Sequence, residues 1–578
     1  MKLPLSCAAC CHWFLAIVGL ANLISIFDIH AATPLQQAYI KASNTGNGDV
    51  FGRVIAASGT TVVISAYQED SNANTVNGNQ ADNTAANAGA AYVFVRQGTN
   101  WMQQAYLKPS NADTNDTFGF SVAISGDTIV IGSSGEDSNA IGINGDASNN
   151  SRSGSGAAYV FVRNGTNWTQ QAYLKASNSG ANDAFGYSVA VSGDTVVVGS
   201  LGEDSNATGV DGDQLNNSAG NSGAAYVFTR TGTNWAKQAY IKASNTRSGS
   251  QFGNSMALDG DTLVVGSYGE ASNATGVNGN QSDITALSSG AAYVFVRNGT
   301  TWSQQAYLKA SNTGAQDWFG LFVTISRDTI AVGAPFESSS SSGVNGDGSN
   351  NNALNSGAAY VFVRNGTNWT PQAYIKASNP TGGGGAFSGG DNFGAVAVSG
   401  NILVVGAPGE SSNAIGINGN QFNETSTNSG AAYVFARTGT NWTQQAYIKA
   451  SNNGANDALG ISVATSGDTL AVGAFGESSN ATGVNGDQAN DLIPTSGAAY
   501  IFTGFVEGPS LTLAPDGSGG YYLRFTGIPI ATYRVLRAGS LMATWETAAT
   551  LIAPPSGLVE FHDITPPAGQ AFYRTAQP

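Results

Sequence analysis

The feature that most restricts this chain is a unit that recurs along most of its length. The pairs Phe51-Gly52, Phe118-Gly119, Phe185-Gly186, Phe252-Gly253, Phe319-Gly320, Phe393-Gly394 and Leu459-Gly460 mark seven copies. Their spacings are 67, 67, 67, 67, 74 and 66 residues, and the long interval holds the glycine-rich run 382–390. A second marker, Gly-Ala-Ala-Tyr, begins at Gly89, Gly156, Gly223, Gly290, Gly357, Gly430 and Gly497. Two independent markers at one period define a repeat architecture, which overrides any domain count drawn from the length of 578 residues.

The second copy serves as the type. Residues 120–125 alternate apolar and small side chains, as a strand does. Ser125-Gly126-Asp127 reads as a tight turn and 128–132 as a short β-branched strand buried on both faces. A long polar loop covers 133–156. Residues 157–163 form a third strand, Asn164-Gly165 a hairpin turn, and 168–175 a fourth strand. Four antiparallel strands per unit make one propeller blade. The predicted fold class is therefore all-β: a seven-bladed β-propeller with a small C-terminal β-sandwich.

Repeats and blades are out of phase. The chain begins with an orphan fourth strand, 36–41, matching 103–108, and the last copy stops after its third strand, 498–502. The N-terminal strand is expected to complete the last blade and close the ring, which removes two exposed sheet edges.

The Phe-Gly pairs, the Ser-Val-Ala that follows several of them, and the literal Gly333-Ala334-Pro335 and Gly406-Ala407-Pro408 resemble the FG-GAP repeat of integrin α-subunit heads, across about residues 35–503. The resemblance implies a seven-bladed ligand-binding propeller. Integrin propellers hold calcium in Asp-rich loops between first and second strands. Here those turns are Ser125-Gly126-Asp127, Ser192-Gly193-Asp194 and their equivalents, too short to wrap an ion, so integrin-type Ca²⁺ sites are not carried over. From Glu507 the pattern changes. Residues 508–578 carry alternating segments at 521–525, 533–537, 545–551, 559–562 and 572–574, and resemble fibronectin type III-like tails of secreted bacterial proteins.

Residues 1–32 read as an export signal, with Lys2, an apolar run over 13–27, and Ala31-Ala32 for cleavage. The expected organisation is signal 1–32, propeller 33–507 and tail 508–578, in a secreted or cell-surface protein with no membrane span after cleavage. Cys7, Cys10 and Cys11 all precede the apolar run, so a mature chain carries no thiol. A net charge of -15 with only 23 Lys and Arg leaves no basic stripe for nucleic acid. The composition, with 75 glycines and 11% charged residues, suits many turns and an uncharged polar surface.

His12, His30 and His562 are the only histidines. The propeller thus lacks Ser-His-Asp and Cys-His catalysis and any ordinary zinc site. Its long loops repeat Glu69, Glu136, Glu203, Glu270, Glu337, Glu410 and Glu477, a crown of acids on one ring face. The crown reads either as a ligand or calcium surface, with Glu136, Asp137, Glu203 and Asp204 as candidates, or as local support of loop backbone. No cofactor is expected apart from Ca²⁺ in these loops. The densest acidic loop, Glu203, Asp204, Asp211 and Asp213, is the candidate metal site. Asp49, Asp116, Asp183, Asp317, Asp391 and Asp457 precede the Phe-Gly pairs and are expected to cap that turn. The series Trp101, Trp168, Trp235, Trp302, Trp369 and Trp442 is expected to pack between blades, whereas Trp318 has no counterpart in other copies and is the aromatic binding candidate.

These features predict a non-enzymatic, monomeric binding or adhesion module with an extracellular protein or glycan partner over the loop-bearing face. The rival readings are a purely structural surface protein and a polysaccharide-acting enzyme working through Tyr, Arg and carboxylates.

Overall fold

A computed structural model describes residues 34–383, 390–505, 512–516, 519–526, 532–540, 544–552, 558–567 and 571–576. The expected export signal lies outside them. The chain separates into a repeat unit, Pro34–Ala436 with Thr443–Phe505, and a smaller unit that includes Val506–Pro578. No helix among the described residues is long and apolar enough to cross a membrane.

Every named element is a strand. In the type copy the strands are Phe118–Ser125, Thr128–Ser133, Ala157–Asn164 and Asn167–Leu174, paired antiparallel in that order. The second strand is buried at all positions, which is why its Thr-Ile-Val-Ile-Gly-Ser run is β-branched rather than alternating. At the hairpin, Asn164 pairs with Asn167 and Gly165 takes φ 63°, the glycine that a type II′ turn needs at its first central position. A β-bulge between Val160 and Phe161 bends the outer pair.

Seven four-stranded sheets of this kind follow one another, an all-β arrangement of repeated sheets as in a β-propeller. The last has the order Leu35–Ile40, Ala498–Thr503, Thr469–Ala474, Ser462–Ser466. Its outer strand comes from the N-terminus, with Tyr39 opposite Tyr500. First strands of consecutive sheets lie side by side, and Ile55–Ser58 of the first sheet also lies beside Ser462–Ser466 of the last.

The core sits between sheets. Val63, Ala91 and Val93 of one sheet pack with Ile129, Tyr159, Phe161 and Trp168 of the next. The Phe of the Phe-Gly pair is the hinge of this packing: Phe118 meets Tyr159 at 5.4 Å and Phe161 at 6.0 Å, edge to face. Its glycine is demanded twice over. Gly186 has φ 90°, and a methyl there would lie 2.1 Å from the Ala157 carbonyl oxygen. A methyl on the second-strand Gly199 would lie 2.2 Å from the Gly253 carbonyl oxygen of the next sheet. Adjacent sheets approach backbone to backbone at these two points, which explains why the motif repeats.

The tail holds two three-stranded sheets. One is Thr512–Pro515, Tyr521–Thr526, Leu558–Asp563; the other is Glu546–Ile552, Thr532–Ala538, Phe572–Ala576. Five of these strands match the alternating segments read from sequence, and Thr512–Pro515 was not anticipated. Leu523, Phe525 and Val559 of one sheet share a core with Tyr533, Val535 and Tyr573 of the other.

Candidate functional site

The acidic crown is overturned by burial. All seven loop glutamates are buried, between 0% and 3% exposed, and each sits opposite a buried lysine. In the type copy Lys175 Nζ donates to Glu136 Oε2 at 2.7 Å, Ser155 Oγ at 2.7 Å and the Ser138 carbonyl at 3.0 Å, using all three protons. Glu136 Oε1 accepts from the Tyr173 hydroxyl at 2.7 Å and Asn111 Nδ2 at 3.2 Å. Burial pulls the Lys175 pKa down while Glu136 pushes it back up, and the three donated bonds fit the charged ammonium. Glu203 repeats the pattern with Lys242 at 2.7 Å and Tyr240 at 2.8 Å. Glu136 and Glu203 are therefore buried away from any surface ligand; they anchor the root of each long loop.

The remaining acidic candidates serve their own loops. Asp137 Oδ1 accepts from Gly154 N at 2.7 Å and Asp204 Oδ1 from Asn221 N at 2.7 Å. Asp211 Oδ1 accepts from Tyr240 N at 2.8 Å, in the place where Asn144 holds Tyr173 N, and Asp213 Oδ1 accepts from Leu215 N at 2.9 Å. Glu203, Asp204, Asp211 and Asp213 thus do not converge, and among the described residues no group of three or more His, Cys, Asp or Glu gathers as a metal site would need. The short-turn aspartates are also engaged: Asp127 pairs with Arg163 at 2.6 Å and Asp194 with Arg230 at 2.7 Å.

Two expected structural roles are seen. Asp49 Oδ2 accepts from Gly46 N at 2.8 Å and Asp183 Oδ2 from Gly180 N at 2.6 Å, capping the turn before the first strand. Burial pushes the carboxyls of Asp49, Asp183, Asp317, Asp391 and Asp457 up to about 7, and that of Asp116 up to about 8. The recurring tryptophans bridge sheets: Trp168 Nε1 donates to Gln104 Oε1 of the preceding sheet at 2.8 Å, under the Arg163 guanidinium 5.1 Å from the ring.

The repeat is broken at one place. The residue after the Phe-Gly (or Leu-Gly) pair is Arg53, Phe120, Tyr187, Asn254, Leu321, Ala395 and Ile461, seven residue types at one structural position. The first residue after the second strand is similarly varied: Tyr67, Ser134, Leu201, Tyr268, Pro335, Pro408 and Phe475. Five of the first-strand positions surround a cavity of 300 Å³ enclosed by the first strands of five consecutive sheets, with Tyr67 also on its wall.

Half-buried aromatic rings line this region. Tyr67 meets Phe120 at 5.5 Å and Phe120 meets Tyr187 at 4.9 Å. A separate group places Trp318 between Tyr268 and Phe336 at 4.9 and 4.5 Å, and none of these three lines the cavity. Trp318 itself sits at φ 56°, a position where other copies carry Thr117, Ala184 or Ala458. Arg53 reaches over the Phe475 ring at 5.7 Å, and among the described residues no carboxylate pairs with it. Tyr67, on the cavity wall, begins a long loop, as Tyr268 and Phe475 do in their sheets. Those loops also expose Ile141, Leu215, Leu287, Leu354, Phe422 and Leu492, with Leu215 at 85% and Phe422 at 73%. Sequence reasoning singled out Trp318 and passed over Arg53, Phe120 and Tyr187. The signal was present as variation immediately after a glycine that every copy keeps.

A second cavity, 210 Å³, lies beside Pro371 and Ser311. In other sheets this position is a glutamine or lysine bonded to the corresponding serine, as Gln170 Nε2 is to Ser110 Oγ at 3.1 Å. Proline has no such group, and the cavity is the space left over.

Repeated four-stranded sheets with glycine-mediated contacts between them define an all-β repeat protein of β-propeller type. Residues 34–94, 101–161, 168–228, 235–295, 302–362 and 442–502 match the profile of the FG-GAP repeat, together more than half the chain. The chain belongs to the FG-GAP repeat family. Each match runs from the fourth strand of one sheet to the third of the next, and the copy with the glycine-rich insertion is not among them. No curated protein is significantly similar to the chain.

Proposed function

We propose that this protein is a secreted or cell-surface, non-enzymatic binding module: a monomeric, closed seven-bladed propeller that holds an extracellular ligand at the inner cavity on its loop-bearing face. The tail is a small fibronectin type III-like sandwich. The ring reading rests on the N-terminal strand in the last sheet and on the contact between first and last inner strands. The binding reading rests on one observation, the break in the repeat around the cavity. Positions that only maintain a pseudo-symmetric ring stay alike from copy to copy; seven different residues at one inner position, three of them Arg, Phe and Tyr around one cavity, describe a single asymmetric site.

The test is an array of glycans and extracellular proteins probed with the full chain and with Phe120→Ala. Hits that disappear in Phe120→Ala support the reading. Hits indifferent to that change, or turnover of a polysaccharide or ester by the purified protein, would overturn it. A purely structural role is the second reading. The seven buried Lys–Glu networks favour it, because they spend the conspicuous loop acids on rigidity, and an array with no hits supports it.

A further inference from the structure

We infer that the inner cavity takes a carboxylate-bearing sugar residue, with Arg53 as its anchor. The inference rests on the binding reading above and assigns the chemistry of that site. Among the described residues five arginines at the ends of third strands are paired with short-turn aspartates, as Arg163 is with Asp127 and Arg297 with Asp261. Arg53 differs: its guanidinium lies against the face of Phe475, no carboxylate among the described residues meets it, and it stands on the cavity wall. In a chain of net charge -15, an unpaired arginine at a cavity is a local reversal of sign. Its planar fork matches a carboxylate through two parallel hydrogen bonds.

The rest of the wall selects for a sugar among carboxylates. Phe120 is flanked by Tyr67 at 5.5 Å and Tyr187 at 4.9 Å, all half-buried, so ring surface is offered to an apolar face. No protein hydrogen bond occupies the Tyr67 or Tyr187 hydroxyl among the described residues, which leaves polar groups at the ring edges. The ligand that fits is flat and apolar on one side with hydroxyls around its rim, which describes a pyranose. An aromatic wall also suits an organic cation, but Arg53 places a like charge beside it and excludes that class. At 300 Å³ the cavity is at the small end of ligand sites, of the size for one residue of a chain rather than an extended segment.

The experiment is titration calorimetry of the full chain with an oligogalacturonate, with sialyllactose, and with neutral lactose and cello-oligosaccharide. The two acidic probes separate uronates from sialic acids as the source of the carboxylate. Binding of at least one acidic sugar is expected, weakening as salt is raised. Arg53→Gln is expected to lower that affinity by about tenfold or more with the melting temperature unchanged, since Arg53 holds no ion pair. Phe120→Ala is expected to weaken the same ligand. No binding of either acidic sugar, or equal binding by Arg53→Gln, overturns the inference. A neutral sugar or a protein whose binding Phe120→Ala abolishes and Arg53→Gln spares also overturns it, while leaving the binding function intact.

Discussion

Each loop glutamate is held by an ammonium, a phenol and an amide, and this network is the most repeated polar feature of the molecule. Removing one partner leaves the other charge buried without compensation, which costs about 3–5 kcal/mol. Lys175→Met is therefore expected to destabilise the protein by that order, read from urea denaturation, whereas Lys175→Met with Glu136→Leu should recover much of the loss. Asp211 shows that the carbonyl oxygen, not the amide, is what the neighbouring site requires: it accepts Tyr240 N at 2.8 Å where Asn144 accepts Tyr173 N at 2.9 Å. Asn144→Asp is expected to leave the melting temperature nearly unchanged. Both the glutamate and lysine series were visible in the sequence as once-per-repeat residues. That they meet was not, because the pairing joins a loop root to the end of a strand 39 residues later and depends on the sheet's register.

Strands and turns were largely legible. The second-strand run, the tight Ser-Gly-Asp turns and the out-of-phase ends all follow from side-chain period and turn chemistry, and the structure places them within a residue or two. The glycines have a second meaning that periodicity does not carry. A methyl on Gly199 would meet the Gly253 carbonyl oxygen at 2.2 Å, so Gly199→Ala must push two sheets apart. A cost of about 1–3 kcal/mol is expected for such overpacking, seen as a lowered melting temperature. The N-terminal strand offers a sharper test. It supplies the outer strand of the last sheet and Lys41, which donates to Glu477 at 2.7 Å. Deleting residues 34–41 is expected to lower the melting temperature and to cause association through the exposed edge. A synthetic peptide of those residues should reverse both effects, as followed by size-exclusion chromatography.

At the scale of the whole molecule, six buried aspartates recur around the repeats with carboxyls raised to about 7 or about 8. Burial is the first cause, and the neighbouring loop glutamate adds to it at Asp49 and Asp116. A carboxyl whose folded pKa lies above its unfolded value of about 3.9 binds more protons folded than unfolded. The stability it contributes is complete below about pH 4 and is lost as pH rises through the folded value. Melting temperature is expected to fall as pH rises from about 4 to about 8. Asp116→Asn should flatten part of that slope; a melting temperature that rises over this range would contradict the account. The sequence by itself determined the repeat, the strand order and the swapped end, because these depend on local period and on counting copies. Only the tertiary structure decided which acids are buried and which side chains line the inner cavity. Those depend on which side chains from distant copies share a space, and so the conspicuous recurring glutamates proved to be internal supports, while the non-recurring Arg53, Phe120 and Tyr187 came together around one cavity.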